Sequence, residues 1–368
     1  KEMGRKRFQI MALCMAGSML FTACGKEKAA DKEETASVSD TKDSKDSAEG
    51  SDTKKEIVIR MGHTGSDTCM MQLGYETMKE YMERESKGRI QVQIFSGGQL
   101  GDDAAHVTAV QNGDLEMIGI NNGYMTSYQE SMNIFSMPFA FKSQDVAYAV
   151  LEGDWGKEML DSLEEGCGLK GLGYIDSFAY RELTANKPVY TPDDLKGVKI
   201  RVMPTEVHLA IWEALGAQPT AIAFSELYTA LQQGTVEAQE NPFENIVTAR
   251  LYEVQKYVML TNHVYTTGVV VANPAWYNSL DDEAKEIVQG AVDACYQFQK
   301  EEAAKREAEY KKTITEAGVE IIELSDEQLG VFEEAAKPAV EKITDMVGEE
   351  TVNSLYDAID KAEKELGK

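Results

Sequence analysis

Four histidines and five cysteines are the residues of this 368-residue chain best suited to metal or nucleophile chemistry. Their spacing supports neither. His63, His106, His208 and His263 form no H-E-x-x-H or other ligand pattern, and no C-x-x-C occurs among Cys14, Cys24, Cys69, Cys167 and Cys295. The chain has no G-x-S-x-G elbow and no phosphate-binding loop, and Gly171-Leu172-Gly173 is too short for a dinucleotide site. The pattern therefore predicts no metal, no cofactor and no enzyme. Cation chemistry remains. Beyond residue 56 arginine occurs only at 60, 84, 89, 181, 201, 250 and 306. Arg181 and Arg201 stand out, because each falls in or beside an apolar strand. A buried guanidinium needs an anionic partner, and its planar fork matches a carboxylate bidentately. That partner is either a bound organic acid or an internal residue such as Asp103 or Glu182, and spacing alone leaves both open.

The elements around these residues read as α/β. Strands over Ile57–Met61, Ile90–Phe95 and Leu115–Ile120 alternate with helices over Asp67–Ser86 and Asp102–Asn112, the order of a largely parallel sheet. Helical runs follow at Ser143–Glu152 and Trp155–Glu165, then strands at Leu169–Ile175 and Phe178–Thr184. Thr191-Pro192-Asp193-Asp194 is a helix start with Pro at its first position. A second α/β unit then runs through strand Val198–Val202, helix Glu206–Leu215, helix Ser225–Gln233 and strand Val236–Gln239. Residues 281–317 contain no Pro, and Ser279-x-x-Asp282 reads as a capping box; one helix there would span roughly 55 Å, enough to run along two lobes. Glu320–Leu324 and helices near Asp326–Met346 and Val352–Leu366 close the chain. Ligands of open α/β sheets sit beyond the carboxyl ends of strands. That rule gathers His63, Asn121, Arg201 and Asn241 at one crevice, although turn chemistry explains the histidine and the asparagines singly as well.

Net charge is −26, from 63 acidic against 37 basic residues. This excludes a basic nucleic-acid footprint. The acids are concentrated after residue 56, since residues 1–24 carry +3 and residues 25–56 carry −3. Arg5-Lys6-Arg7 followed by the apolar run Phe8–Leu20 reads as an export signal too short to span a bilayer. Thr22-Ala23-Cys24-Gly25 is similar to a bacterial lipobox, with Cys24 as the lipidated residue after cleavage, so the expected location is extracytoplasmic and anchored by lipid alone. Residues 25–56 hold no aromatic and only Val38 as a larger apolar side chain, the composition of a disordered tether. Of the remaining thiols, Cys69, Cys167 and Cys295 read as free and buried or half-buried.

Longer motifs carry a resemblance. Asp194-Leu195-Lys196-Gly197-Val198-Lys199-Ile200-Arg201-Val202, Phe224-Ser225-Glu226-Leu227-Tyr228-Thr229-Ala230-Leu231-Gln232, Gln239-Glu240-Asn241-Pro242 and Gln99-Leu100-Gly101-Asp102-Asp103 together resemble the substrate-binding proteins of TRAP transporters, DctP type. The resemblance runs from Ile57 to the C-terminus. It implies a two-lobed periplasmic-binding-protein-like clamp with a long helix spanning both lobes. Lobe I would comprise 57–178 plus about 268–306, and lobe II 179–267 plus about 307–368. It further implies capture of an organic acid and delivery to TRAP membrane permease subunits driven by an ion gradient. Carried over by motif, Arg201 would bind the carboxylate and Arg181, partly neutralised by Asp103, would be a second cation. Asn241 and Phe224 would contact the ligand from lobe II, and His63, Asp103 and Asn121 from lobe I, with Tyr124 beside them. Met203 stands where many members have Pro, and Asn121 and Tyr124 replace charged residues of sialic-acid-binding members, which argues against sialic acid. One clamp among neutral hydrogen-bonding groups suits a sugar acid such as a hexuronate. A C4-dicarboxylate receptor, or a receptor feeding a sensor kinase, is the alternative.

Overall fold

The computed structural model describes residues 55–368, with the side chains of 176–178 set aside. The export signal, Cys24 and all but the last residues of the tether lie outside the described residues. The elements run β1 (Ile57–Gly62), α1 (Met70–Glu85), β2 (Ile90–Phe95), α2 (Asp103–Asn112), β3 (Met117–Asn121), α3 (Asn122–Met125), α4 (Gln144–Glu152), α5 (Asp154–Cys167), β4 (Lys170–Tyr180) and β5 (Glu182–Ala185). They continue through β6 (Lys199–Val202), α6 (Glu206–Ala214), β7 (Gln218–Ala221), α7 (Leu227–Gln232), β8 (Ala238–Asn241), α8 (Phe243–Thr248), β9 (Tyr257–Leu260), β10 (Tyr265–Ala272), α9 (Pro274–Ser279), α10 (Asp282–Glu316), β11 (Glu320–Glu323), α11 (Asp326–Ala335), α12 (Lys337–Val347) and α13 (Glu349–Leu366).

Local chemistry sets the helix ends. Asp102 caps α2 by accepting from Ala105 N at 2.9 Å, and Gly113 closes it in the left-handed region at φ 80°, which glycine enters without a Cβ clash. The Thr191–Asp194 capping box forms as read, over a 3-10 turn at Pro192–Leu195. The 35-residue α10 is also as expected, but its N-cap is Asp281, which accepts from Ala284 N; Ser279 instead ends α9 and donates to the Trp276 carbonyl. Helix α1 starts three residues later than its periodicity suggests, because Cys69 supplies the cap. The run expected near Asp326–Met346 divides into α11 and α12 at Ala336, where Pro338 sits at the start of the second helix.

Sheet pairing departs from the expectation of a largely parallel first sheet. β1 and β2 do pair in parallel, but β3 joins β10 antiparallel, in the order β3-β10-β4. A return strand from 150 residues downstream takes the place beside β3 that a sequential reading gives to its neighbours. Beside the β1-β2 pair and the three-stranded sheet, a third sheet has six strands, β11-β9-β5-β8-β6-β7, in mixed directions. β7, β9 and β10 were not anticipated. All eight residues of β10 are buried, so the strand lacks the alternation that marks a half-exposed one. Helix α10 packs on α1, β4 and α8 and so reaches elements of both sheet systems. The three thiols are free, Cys69 and Cys295 buried and Cys167 half-buried.

Candidate functional site

A cleft of about 60 Å³ is lined by all eight side chains singled out from the sequence: His63, Asp103, Asn121, Tyr124, Arg181, Arg201, Phe224 and Asn241. Each sits at an element end. His63 follows β1, Asp103 opens α2, Asn121 ends β3 and Tyr124 lies in α3. Arg181 occupies the single residue between β4 and β5, Arg201 lies in β6, and Phe224 opens the 3-10 turn before α7. Strand β8 begins two residues later than read, so Glu240 and Asn241 are its last residues and their side chains are fixed by the sheet.

The two arginines differ in kind. Arg181, 1% exposed, forms an ion pair with Glu240 through Nε; its Nη2 donates to the Glu240 carbonyl at 2.6 Å, to Oε1 at 2.9 Å and to Asn241 Oδ1 at 3.2 Å. Glu240, not Asp103, neutralises it. Asp103 points elsewhere and accepts from the Thr64 hydroxyl at 3.2 Å. The sequence could not assign this pairing, because Glu240 comes alongside Arg181 only through the antiparallel register of β5 on β8. Burial alone would raise the Glu240 carboxyl, but the Arg181 charge and the His263 contact at 3.1 Å hold it well below the usual range. His263 in turn meets the Thr261 hydroxyl at 2.8 Å, and His208 Nδ1 lies 3.8 Å from Glu240 Oε1.

Arg201 is fully buried and forms no ion pair among the described residues, although the Glu240 and Asp103 carboxylates act on it at longer range. Its Nε donates to the Ile222 carbonyl at 2.8 Å, which aims the fork. Nη1 and Nη2 find no hydrogen-bond partner among the described residues. The neighbouring Tyr124 hydroxyl supports the guanidinium charge, and the Phe224 ring centroid lies 5.9 Å from the guanidinium carbon. Burial depresses the Arg201 pKa, the mark of a charge short of compensation.

The rest of the cleft combines the apolar side chains of Met71, Ile120 and Met203 with hydrogen-bonding groups. His63 Nε2 is tied to Gln72 Oε1 at 2.8 Å and burial favours its neutral form. Asn121 Oδ1 accepts from Gly123 N at 2.7 Å, and Asn245 Nδ2 donates to Asn241 Oδ1 at 3.0 Å. Burial pushes Asp103 up to about 6. Thr64, Glu244, Asn245 and Thr248 also line the cleft and were missed. Glu244 accepts from Met70 N at the start of α1, a contact between residues 174 positions apart that no local pattern announces.

Behind the cleft Glu182 is buried, accepts from Asn262 N at 3.0 Å, and is pushed by burial up to about 8, with Glu307 adding to the rise and Lys311 opposing it. The unfolded chain releases this proton near 4.5, whereas the folded protein keeps it. The unfolded state therefore binds fewer protons between these values, and stability falls as pH rises. The melting temperature is expected to drop from pH 5 to pH 8.5, with a shallower slope in Glu182→Gln. Equal slopes in scanning calorimetry would contradict the assignment.

Residues 61–346 match the family model described as DctP, bacterial extracellular solute-binding protein, family 7. The chain belongs to this family. Among its relatives, the 2,3-diketo-L-gulonate-binding periplasmic protein YiaO of Escherichia coli K12 is 32% identical over 267 residues, 72% of this chain and 80% of the relative. Among solved structures, the sugar acid binding protein DctPAm of Advenella mimigardefordensis, in complex with galactonate, superposes with a TM-score of 0.81 at 33% identity, covering 84% of this chain and 99% of that one. A TRAP periplasmic solute-binding protein of Shewanella oneidensis with bound succinate superposes at 0.79 and 27% identity, covering 83% and 99%. The fold is thus the two-lobed clamp of TRAP solute-binding proteins, as its motifs implied.

Proposed function

We propose that this protein is a receptor for a carboxylate-bearing sugar acid, a hexuronate being the best fit, which it hands to a TRAP membrane permease. The Arg201 fork carries the reading: a buried, aimed guanidinium with no ion pair among the described residues suits one carboxylate. The groups around it suit hydroxyls, since His63, Asn121, Tyr124 and Asn241 are uncharged donors and acceptors. A second carboxylate would find Arg181 already paired with Glu240 and would face Asp103 and Glu244. The galactonate and 2,3-diketo-L-gulonate binders among the relatives support a sugar acid, and the succinate complex marks the competing class. Binding and release, not turnover, is the activity that this site supports. Lobe I is taken as 57–178 plus about 268–306, with the remainder of the body as lobe II. Calorimetry with D-glucuronate, D-galacturonate, succinate and L-malate tests the ligand class. Tighter binding of the uronates is expected, and far tighter binding of either dicarboxylate would reject it.

The address is part of the same reading. Extracellular solute capture needs export, and we infer that Cys24 becomes the lipidated N-terminus that tethers the receptor to the membrane. Mass spectrometry of protein from native membranes is expected to show a diacylated or triacylated Cys24; a mature chain retaining residues upstream of it would sink the idea.

A further inference from the structure

Next to the cleft, and sharing Asn121 and Met203 with it, lies a narrow crevice too tight to admit a water molecule. It is lined by polar side chains with unusual status. Asn122, 2% exposed, has neither Nδ2 nor Oδ1 hydrogen-bonded, and Thr266 Oγ1, on a residue 5% exposed, is likewise unpaired among the described residues. Three such atoms on two residues of one narrow space are costly, because each unmade hydrogen bond in an interior carries a desolvation penalty. Water cannot satisfy them while the pocket keeps this shape. Something that borders it must move, and what then enters must carry hydrogen-bonding groups.

Met203 is the movable part. It lines both the pocket and the cleft, as does Asn121, whose side chain is pinned to Gly123 N. The Met203 thioether end lies against Gly123, where a Cβ would collide with it, so this glycine gives the methionine its present seat. Methionine is unbranched, with three rotatable bonds, and repacks at low cost. It stands two residues after Arg201, so a chain whose carboxylate rests on Arg201 passes it next.

We propose that this pocket is a concealed subsite for the hydroxyl-bearing end of the ligand, opened from the cleft by rotation of Met203. The proposal rests on the sugar-acid reading. Asn122 offers a donor and an acceptor and Thr266 a hydroxyl, a set matched to a polyol tail and mismatched to a second carboxylate or a methyl group.

Calorimetry with D-glycerate, D-erythronate and D-galactonate, acids of three, four and six carbons, tests it. The wild type should prefer the six-carbon acid over the three-carbon acid. Asn122→Ala should reduce that preference about tenfold, the effect of losing one or two hydrogen bonds to the tail. Met203→Ile, similar in bulk but stiff at χ1, should reduce it as well, and Met203→Ala should not. Melting curves check folding; if Asn122→Ala is unstable, Thr266→Val removes one hydroxyl with little change in shape. A preference that is the same in wild type and variants overturns the proposal, and so does a change in melting temperature alone, which would mark a structural pocket. If all three acids bind equally well, the subsite falls while the sugar-acid reading stands. If galactonate fails to bind while D-glucuronate binds, the subsite falls and the sugar-acid reading stands; if neither the aldonates nor the uronates bind, both fall.

Discussion

Arg201→Ala is expected to weaken ligand binding by about 2–5 kcal/mol, roughly 30-fold or more, while leaving the ligand-free protein at least as stable as the wild type. The two effects share one cause. Nη1 and Nη2 are buried without a partner among the described residues, so the empty site bears a desolvated charge that the ligand carboxylate compensates. Removing the side chain takes away the clamp and also the desolvation cost, a conflict between function and stability common at binding sites. Isothermal calorimetry and thermal melting together decide it. Wild-type affinity in the variant would reject the clamp. A large loss of stability in the ligand-free variant would show that Arg201 is instead a structural ion.

Glu240→Gln should be the most destabilising single change near the site, by about 3–5 kcal/mol, because it strands Arg181 as an unpaired charge in the interior. The pair is completely enclosed, at 1% and 0% side-chain exposure, so solvent screening gives little relief. Arg181→Met with Glu240→Leu should recover much of the loss, since two apolar side chains of similar volume leave no charge behind. Urea denaturation of Arg181→Met, Glu240→Leu and the double variant measures this coupling. Additive losses would mean that the pair contributes no interaction of its own, against the geometry in which one guanidinium meets both carboxylate oxygens and the backbone carbonyl of Glu240.

The two predictions separate the arginines by what each one already holds, and the sequence could not make that separation. Both arginines lay beside strands, both were offered Asp103 or Glu182 as internal partners, and neither uses them. Arg181 found Glu240, 59 residues away, through the β5–β8 register. Arg201 holds a backbone carbonyl and no ion pair among the described residues, because β7 runs parallel beside β6 and its continuation sets the Ile222 carbonyl against Nε.

What the sequence by itself determined was local or carried by motif. The caps at Asp102 and Thr191, the glycine stop at Gly113 and the continuous helix after Asp281 depend on residues within one or two turns of each other, and all formed. The eight residues singled out from strand ends and family motifs line one cleft, a placement that those motifs carry without knowledge of side-chain contacts. The tertiary structure alone decided that β3 pairs with β10, that Glu244 reaches the start of α1, and that Met203 stands between the cleft and a polar pocket. Each of these joins segments about 80 to 170 positions apart. Hydrophobic pattern and capping chemistry decay over a few residues, whereas the partner of a buried charge or strand is chosen by which distant segment completes its packing and hydrogen bonds.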